Sequence, residues 1–392
     1  MKSDFFKYQA QTTPHPLAME ISHAEGTYIY DTNNKKYIDF VAGVSACSLG
    51  HRHPKVIEAI KTQLDKYLHV MVYGEYIQEP AVELAKLLAK QLPKSLEKTY
   101  LVNSGTEAIE AAMKLAKRIT QRTEFVAAKN AYHGNTQGAM SIMGYEERKE
   151  AFKPLLPNVS FITFNDTNDF KKITSKTAAV ILETIQGGAG FIEPKNNYLS
   201  KLKAHCEKVG ALLILDEIQP GFGRTGKLFG FEHYNVIPDI LVMGKGMGGG
   251  MPIGAFSTSA KYMNLLKDKP KLGHITTFGG HPVIAAAALA TLKEITYSNL
   301  MEQVLEKELI VRKHLVHSSI KEIRGKGLML AALVESEKLC TDTILSCQEN
   351  GLILFWLLFE PKAIRITPPL TISNEELITG CNIIIKILNK LT

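Results

Sequence analysis

The chain has 392 residues, 45% of them hydrophobic and 22% charged, with a formal net charge of +7. That length buries a large core and predicts two lobes. Lys and Arg alternate with Glu and Asp along helical stretches such as 110–118 (EAAMKLAKR), the pattern of a solvated face, which argues against a nucleic-acid partner. The five cysteines, Cys47, Cys206, Cys340, Cys347 and Cys381, form no C-x-x-C pair. Their odd number predicts free thiols in a reducing, cytoplasmic compartment. The first residues lack the apolar core of a signal peptide. The longest apolar run, Leu352–Phe359, is far shorter than the roughly 20 residues of a membrane span.

Residues 26–41 read as a β-hairpin turning at Asn33-Asn34. A helix is expected from Pro54 to Leu68, and a second opens at Glu79-Pro80 with proline in its first turn. His51, His53 and His69 lie near the first helix, but no further ligands follow at zinc spacing. From Thr99 strands and helices alternate: strand 99–103, helix Glu107–Arg118, strand 124–128, a short helix Gly134–Met143, strand 178–183 and helix 198–208. The apolar runs Ala211–Leu215 and Ile240–Met243 predict strands buried on both faces, and 253–259 a strand that reverses direction. This alternation predicts an α/β fold with a mostly parallel sheet covered by helices. Beyond His281 come helices Pro282–Ile295 and Leu300–His317, strand Leu328–Val334, helix 337–349, strands 352–358 and 363–367, and a last helix from about Asn374. The expected organisation is a large lobe over 51–285 and a smaller α/β lobe built from 1–50 and 286–392.

Chemistry concentrates in residues 211–255. Asp216 closes one buried strand and Lys245 follows another. Ligands of open α/β sheets bind beyond the carboxyl ends of strands. A lysine there is desolvated, which lowers its pKa and leaves a neutral amine able to form a Schiff base. The glycines that follow it let a ligand approach the backbone closely. A buried Asp216 needs a cationic partner. A pyridinium nitrogen is one, and the pairing is that expected for pyridoxal phosphate.

Between these strands, Gly221–Gly226 (GFGRTG) with Lys227 imitates a nucleotide loop. However, Leu228 stands where a magnesium-binding hydroxyl is needed, and no helix pattern follows. Ser104-Gly105-Thr106 is the better anion site. It follows a strand and opens a helix whose free N–H groups converge with two hydroxyls. The same residues also read as a capping box with Glu107.

The run SLGHRHP, NSGTEAIEAA, YHGNT, ILETIQGG, LILDEIQPGFGRTGKL, PDILVMGKGMGGGMPIGA, TTFGGHP, IRGKGLM and IRITPPL covers nearly the whole chain. In this order it resembles the class III aminotransferases of the fold-type I pyridoxal-phosphate enzymes, within them the acetylornithine/ornithine aminotransferase group. The resemblance implies Lys245 as the Schiff-base lysine and Asp216 as the partner of the ring nitrogen. It also implies Gln219 on the phenolic oxygen, Tyr132 stacked on the ring, and Ser104, Gly105 and Thr106 at the phosphate. Thr277 would reach the phosphate of the partner subunit, so a homodimer is implied. Thr276, Glu183 and Arg365 are implied as substrate contacts.

Two positions depart from the pattern. Asn135 stands in YHGNT where members of the group carry an arginine, and Gly188 in GGAG replaces a glutamate. An arginine binds carboxylate through a bidentate, charge-assisted fork, whereas Asn135 offers only neutral hydrogen bonds. The expected reaction is transfer of a terminal amino group from a small amino acid to a 2-oxo acid such as 2-oxoglutarate. Its alternatives are a pyridoxal-phosphate lyase or decarboxylase on the same fold, or, from another class, a nucleotide-binding protein built on GFGRTG.

Overall fold

A computed structural model describes residues 1–392. Strands β1 (Ile21–Glu25), β2 (Tyr28–Asp31) and β3 (Lys36–Asp39) form an antiparallel N-terminal meander. Asp31 organises the expected hairpin turn, its Oδ1 accepting from the backbone N of Asn33 at 2.8 Å and of Lys35 at 2.9 Å. The meander has one strand more than the sequence suggested, because β1 is an exposed edge with little apolar patterning.

The central sheet contains β4 (Lys98–Val102), β5 (Glu124–Ala128), β6 (Val159–Ile162), β7 (Thr177–Glu183), β8 (Leu212–Asp216), β9 (Ile240–Gly244) and β10 (Gly254–Thr258), in the order β4-β10-β9-β8-β7-β5-β6. Neighbours are parallel except β10, which runs antiparallel to both β4 and β9. That is the reversal expected at 253–259. Every residue of β7, β8 and β9 is buried. Side chains alternate between two cores. Leu213, Leu215, Leu241 and Met243 enter one, while Leu212, Ile214, Ile240 and Val242 enter the other. At about 1.5–3 kcal/mol per buried aliphatic side chain, these runs hold the sheet at the centre of the molecule. Glu183 pairs with Asp216 in register, and Asp216 with Val242, so the chemically active strand ends finish level.

A third sheet has the order β11-β12-β15-β14, from β11 (Ile320–Lys326), β12 (Met329–Val334), β14 (Phe355–Trp356) and β15 (Ala363–Ile366). Between them in sequence, β13 (Leu352–Ile353) pairs in parallel with β3 of the N-terminal sheet. The single strand expected over 352–358 is therefore two short strands in two sheets. A continuous apolar run cannot reveal that division. One core gathers Ile38 and Phe40 with residues from Val304 to Leu388, joining the first strands to the C-terminal part.

Besides β1, two more strands escaped the sequence reading. β6 is four residues in a loop-rich stretch, and β11 (IKEIRGK) is a charged edge strand. The helix expected at 134–143 shrinks to Gln137–Ser141, and the one from Leu300 ends at His314.

Candidate active site

The carboxyl ends of β7, β8 and β9 open into a cavity of about 540 Å³, within the usual range for a cofactor site. Gly105, Thr106, Tyr132, Asn135, Glu183, Asp216, Gln219, Lys245 and Arg365 all line it. Nine residues spread over 261 positions of chain thus meet in one place. Ser104 is not part of the lining. It is the N-cap of helix Gly105–Thr120, its Oγ accepting from Glu107 N at 3.3 Å. Glu107 in turn accepts from the backbone N of Asn103, one residue before the cap, at 2.7 Å. The hydroxyl of Ser104 caps the helix end, and Gly105 and Thr106 face the cavity.

Asp216 is held on both oxygens. Oδ1 accepts from Ile218 N at 2.9 Å, and Oδ2 lies 2.8 Å from Nδ1 of the buried His133. Burial pushes the His133 imidazole down, but the hydrogen bond and charge of Asp216 outweigh it and raise the ring's pKa. The other ring nitrogen, Nε2, has no partner. His133 is the main residue the sequence reading left without a role. The Y-H-G run was visible, but a contact with Asp216 across 83 positions has no local signature.

Lys245 follows β9 directly, at a positive φ of 44°. Burial lowers its amine pKa, and the charge of Asp216 opposes that shift only in part. Glu183 is pushed up to about 7 by burial. Its two oxygens accept from Gly187 N at 2.9 Å and Tyr132 N at 3.2 Å. It therefore shapes the wall and makes no ion pair with Arg365. Arg365 is buried, its pKa lowered to about 10 by desolvation, with Nε and Nη1 unpartnered and its guanidinium 5.6 Å from the Phe191 ring. Gln219 Nε2 donates to Ser45 Oγ at 3.5 Å. Asn135 is exposed at the rim.

Close approach requires glycine at two places. A Cβ on Gly105 would strike Ile218, and one on Gly134, whose φ is +126°, would strike the side chain of Thr106. Thr106 Oγ1 is otherwise fixed by Thr136 Oγ1 at 2.8 Å. Gly134→Ala is expected to cost about 1–3 kcal/mol in strain and to push Thr106 from its place. The readouts are a lower melting temperature and weaker cofactor retention; unchanged values of both would refute this account.

The G-F-G-R-T-G loop is closed to a nucleotide. Gly221 to Gly226 are all buried. Arg224 points inward, donating to the carbonyls of Leu328 and Pro368 and to Ser48 Oγ. The loop ties the β8 exit to the C-terminal part. Beside it, Glu217 is buried and accepts from Thr184 Oγ1, Gly230 N and Phe231 N.

Thr276 and Thr277 lie outside the cavity. Thr276 lines a separate groove of about 270 Å³ with Tyr73, Tyr76 and Tyr100, and Thr277 is exposed.

A half-buried amine and a doubly held carboxylate share this cavity with a helix N-terminus that opens on a glycine. That donor set fits pyridoxal phosphate. The family described as aminotransferase class-III matches residues 8–388.

The chain belongs to the class-III aminotransferases.

This aminotransferase is 38% identical to the acetylornithine aminotransferase of Methanopyrus kandleri over 356 residues, 90% of each chain. It is 36% identical to the [LysW]-aminoadipate semialdehyde/glutamate semialdehyde transaminase of Sulfolobus acidocaldarius, over 95% of this chain and 96% of that one. The ornithine aminotransferase of Toxoplasma gondii, a structure with pyridoxal phosphate partly occupying its active site, superposes with a TM-score of 0.91 at 30% identity, covering 100% of this chain and 94% of that one. Pyridoxal phosphate is accordingly the cofactor of this fold-type I enzyme.

Proposed function

We propose that this aminotransferase takes the amino group from an unhindered terminal primary amine and delivers it to a 2-oxo acid, with 2-oxoglutarate as the acceptor. The relatives named for acetylornithine, ornithine and semialdehydes share chemistry at a terminal carbon. The observation that carries the reading is a half-buried Lys245 amine in one cavity with Asp216, itself held by His133. No carboxylate hydrogen-bonds or pairs with the amine to hold it in reserve.

Pyridoxal phosphate, when bound, supplies a carbonyl that condenses with amines and a ring that accepts electron density. Lys245 would hold its aldehyde carbon. Asp216 would keep the ring nitrogen protonated, and Gln219 would bond the phenolic oxygen. Gly105 and Thr106, at the helix N-terminus capped by Ser104, would carry the phosphate, and Tyr132 would cover the ring. Once the donor's amine has displaced it from the aldehyde carbon, Nζ of Lys245 would be free to take a proton from the amine-bearing carbon of the donor, a role that its lowered pKa favours. Arg365, with two free buried nitrogens, would take the acceptor's carboxylate. Glu183, occupied by two backbone N–H groups, would position Tyr132.

Purified protein is expected to be yellow and to bleach with an amine donor. A screen of acetylornithine, ornithine, 4-aminobutyrate, lysine and β-alanine against 2-oxoglutarate should consume one oxo acid per amine. Release of ammonia or CO₂ without an oxo acid would instead identify a lyase or decarboxylase.

A homodimer completes this reading. Tyr76, Ile77, Ile275 and Phe278 are exposed apolar residues, Ile77 at 94%. His69 packs 5.0 Å from Phe278, so the 68–77 and 275–278 segments adjoin. Apolar groups clustered in this way mark an interaction surface, and Thr277 sits in it. Light scattering should give twice the chain mass. Thr277→Ala should raise the cofactor Kd at least about tenfold, the value of a lost charge-assisted hydrogen bond. A monomer with full cofactor affinity would overturn both points.

A further inference from the structure

The far end of the donor has a wall of its own. Phe355, Trp356 and Leu358 line the cavity together with Val44. Phe355 lies directly opposite Arg365 in the antiparallel β14–β15 register, and cross-strand partners project to the same face. The Trp356 indole N–H is satisfied elsewhere, donating to Thr341 Oγ1 at 3.1 Å, so it offers the cavity no donor.

Packing holds the segment in place. The Phe359 ring stacks on Tyr145 at 4.6 Å, and a Cβ on Gly188 would come within 2.8 Å of it. The glycine where a glutamate was expected is what leaves room for this ring. The missing carboxylate and the aromatic segment are two sides of one arrangement.

The charged groups are few and mostly occupied. Asp216 is held by His133 and Ile218 N, and Glu183 by Tyr132 N and Gly187 N. Lys245 serves the cofactor in the reading above, on which this inference rests. Asn135 is neutral. Arg365 alone offers a buried cation with free donors. Within this chain, no lining carboxylate is free for a second amine, and no second cation for a second carboxylate.

We propose that the amino donor is a primary amine on an apolar body of aryl size, and that Phe355 and Leu358 select it. The alkyl or aryl part lies against this wall, and the unhindered CH₂–NH₂ end reaches the cofactor. Arg365 is left for the acceptor's carboxylate in the second half-reaction.

The test is a half-reaction of the holoenzyme in its pyridoxal form, followed by loss of the visible band. The donors are 3-phenylpropylamine, N-acetylornithine and L-glutamate. The second-order rate constant is expected to be at least about tenfold higher for 3-phenylpropylamine than for N-acetylornithine. Phe355→Ser combined with Leu358→Asn should reduce that ratio at least about tenfold, whereas Phe355→Leu, which stays apolar, should retain it. Using a ratio within each variant removes any general loss of folded enzyme. Equal or faster bleaching by N-acetylornithine overturns the proposal, as does a preference that the double variant leaves unchanged. If L-glutamate bleaches the enzyme and 3-phenylpropylamine does not, the proposal fails and the transaminase reading stands. If no donor bleaches it, both fail.

Discussion

Lys245→Ala is expected to reduce turnover at least about 10⁴-fold, the upper range for loss of a positioned general base, since the same substitution also removes the amine proposed to bind the cofactor. Burial holds the Lys245 pKa below that of a free lysine, so more of it is neutral and reactive at neutral pH. Lys245 is also the one lysine among the residues lining the cavity, so no neighbour substitutes for it. Reduction with borohydride in the presence of pyridoxal phosphate should add the cofactor's mass to the wild-type chain and not to the variant at this position. The variant should remain folded, because the amine makes no hydrogen bond in the structure whose loss would strand a partner. Turnover within tenfold of wild type would sink the assignment of Lys245.

Asp216→Ala is expected to cost at least about 3–5 kcal/mol in catalysis, the penalty for breaking a buried charged pair. That corresponds to a loss of roughly two to four decades in kcat. Two separate contributions are lost. The ring nitrogen loses the anion that would keep it protonated, and His133 loses the partner that raises its pKa inside a fully buried position. His133→Asn separates them. It keeps a polar side chain beside an intact Asp216, so a drop much smaller than for Asp216→Ala is expected, together with a shift of the cofactor's visible band. Near-normal turnover of Asp216→Ala would be incompatible with the site as drawn.

Much of the site was legible because its chemistry sits at strand ends whose apolar runs declare themselves. Ala211–Leu215 and Ile240–Met243 are uninterrupted because both sheet faces are covered, and that same burial is what perturbs Lys245 and demands a partner for Asp216. The N-cap pattern of Ser104 likewise reported a helix start. The strands that were missed lack such a signal. β11 (IKEIRGK) is mostly charged, with no period-two apolar pattern, and β6 is too short to show a period.

The local code, together with an ordered set of motifs, was enough to determine a pyridoxal-phosphate aminotransferase and to put Asp216 and Lys245 at two strand ends, because those depend on residue type along short apolar runs. The tertiary structure alone decided which groups remain free to meet a substrate. Glu183 is spent on backbone N–H groups, Arg365 is left unpaired, and His133 closes on Asp216 from a distant loop. It also divided 352–358 between two sheets, turning Phe355 toward Arg365. These outcomes depend on contacts between residues far apart in the chain. Propensity and periodicity act over a few residues and carry no record of such contacts.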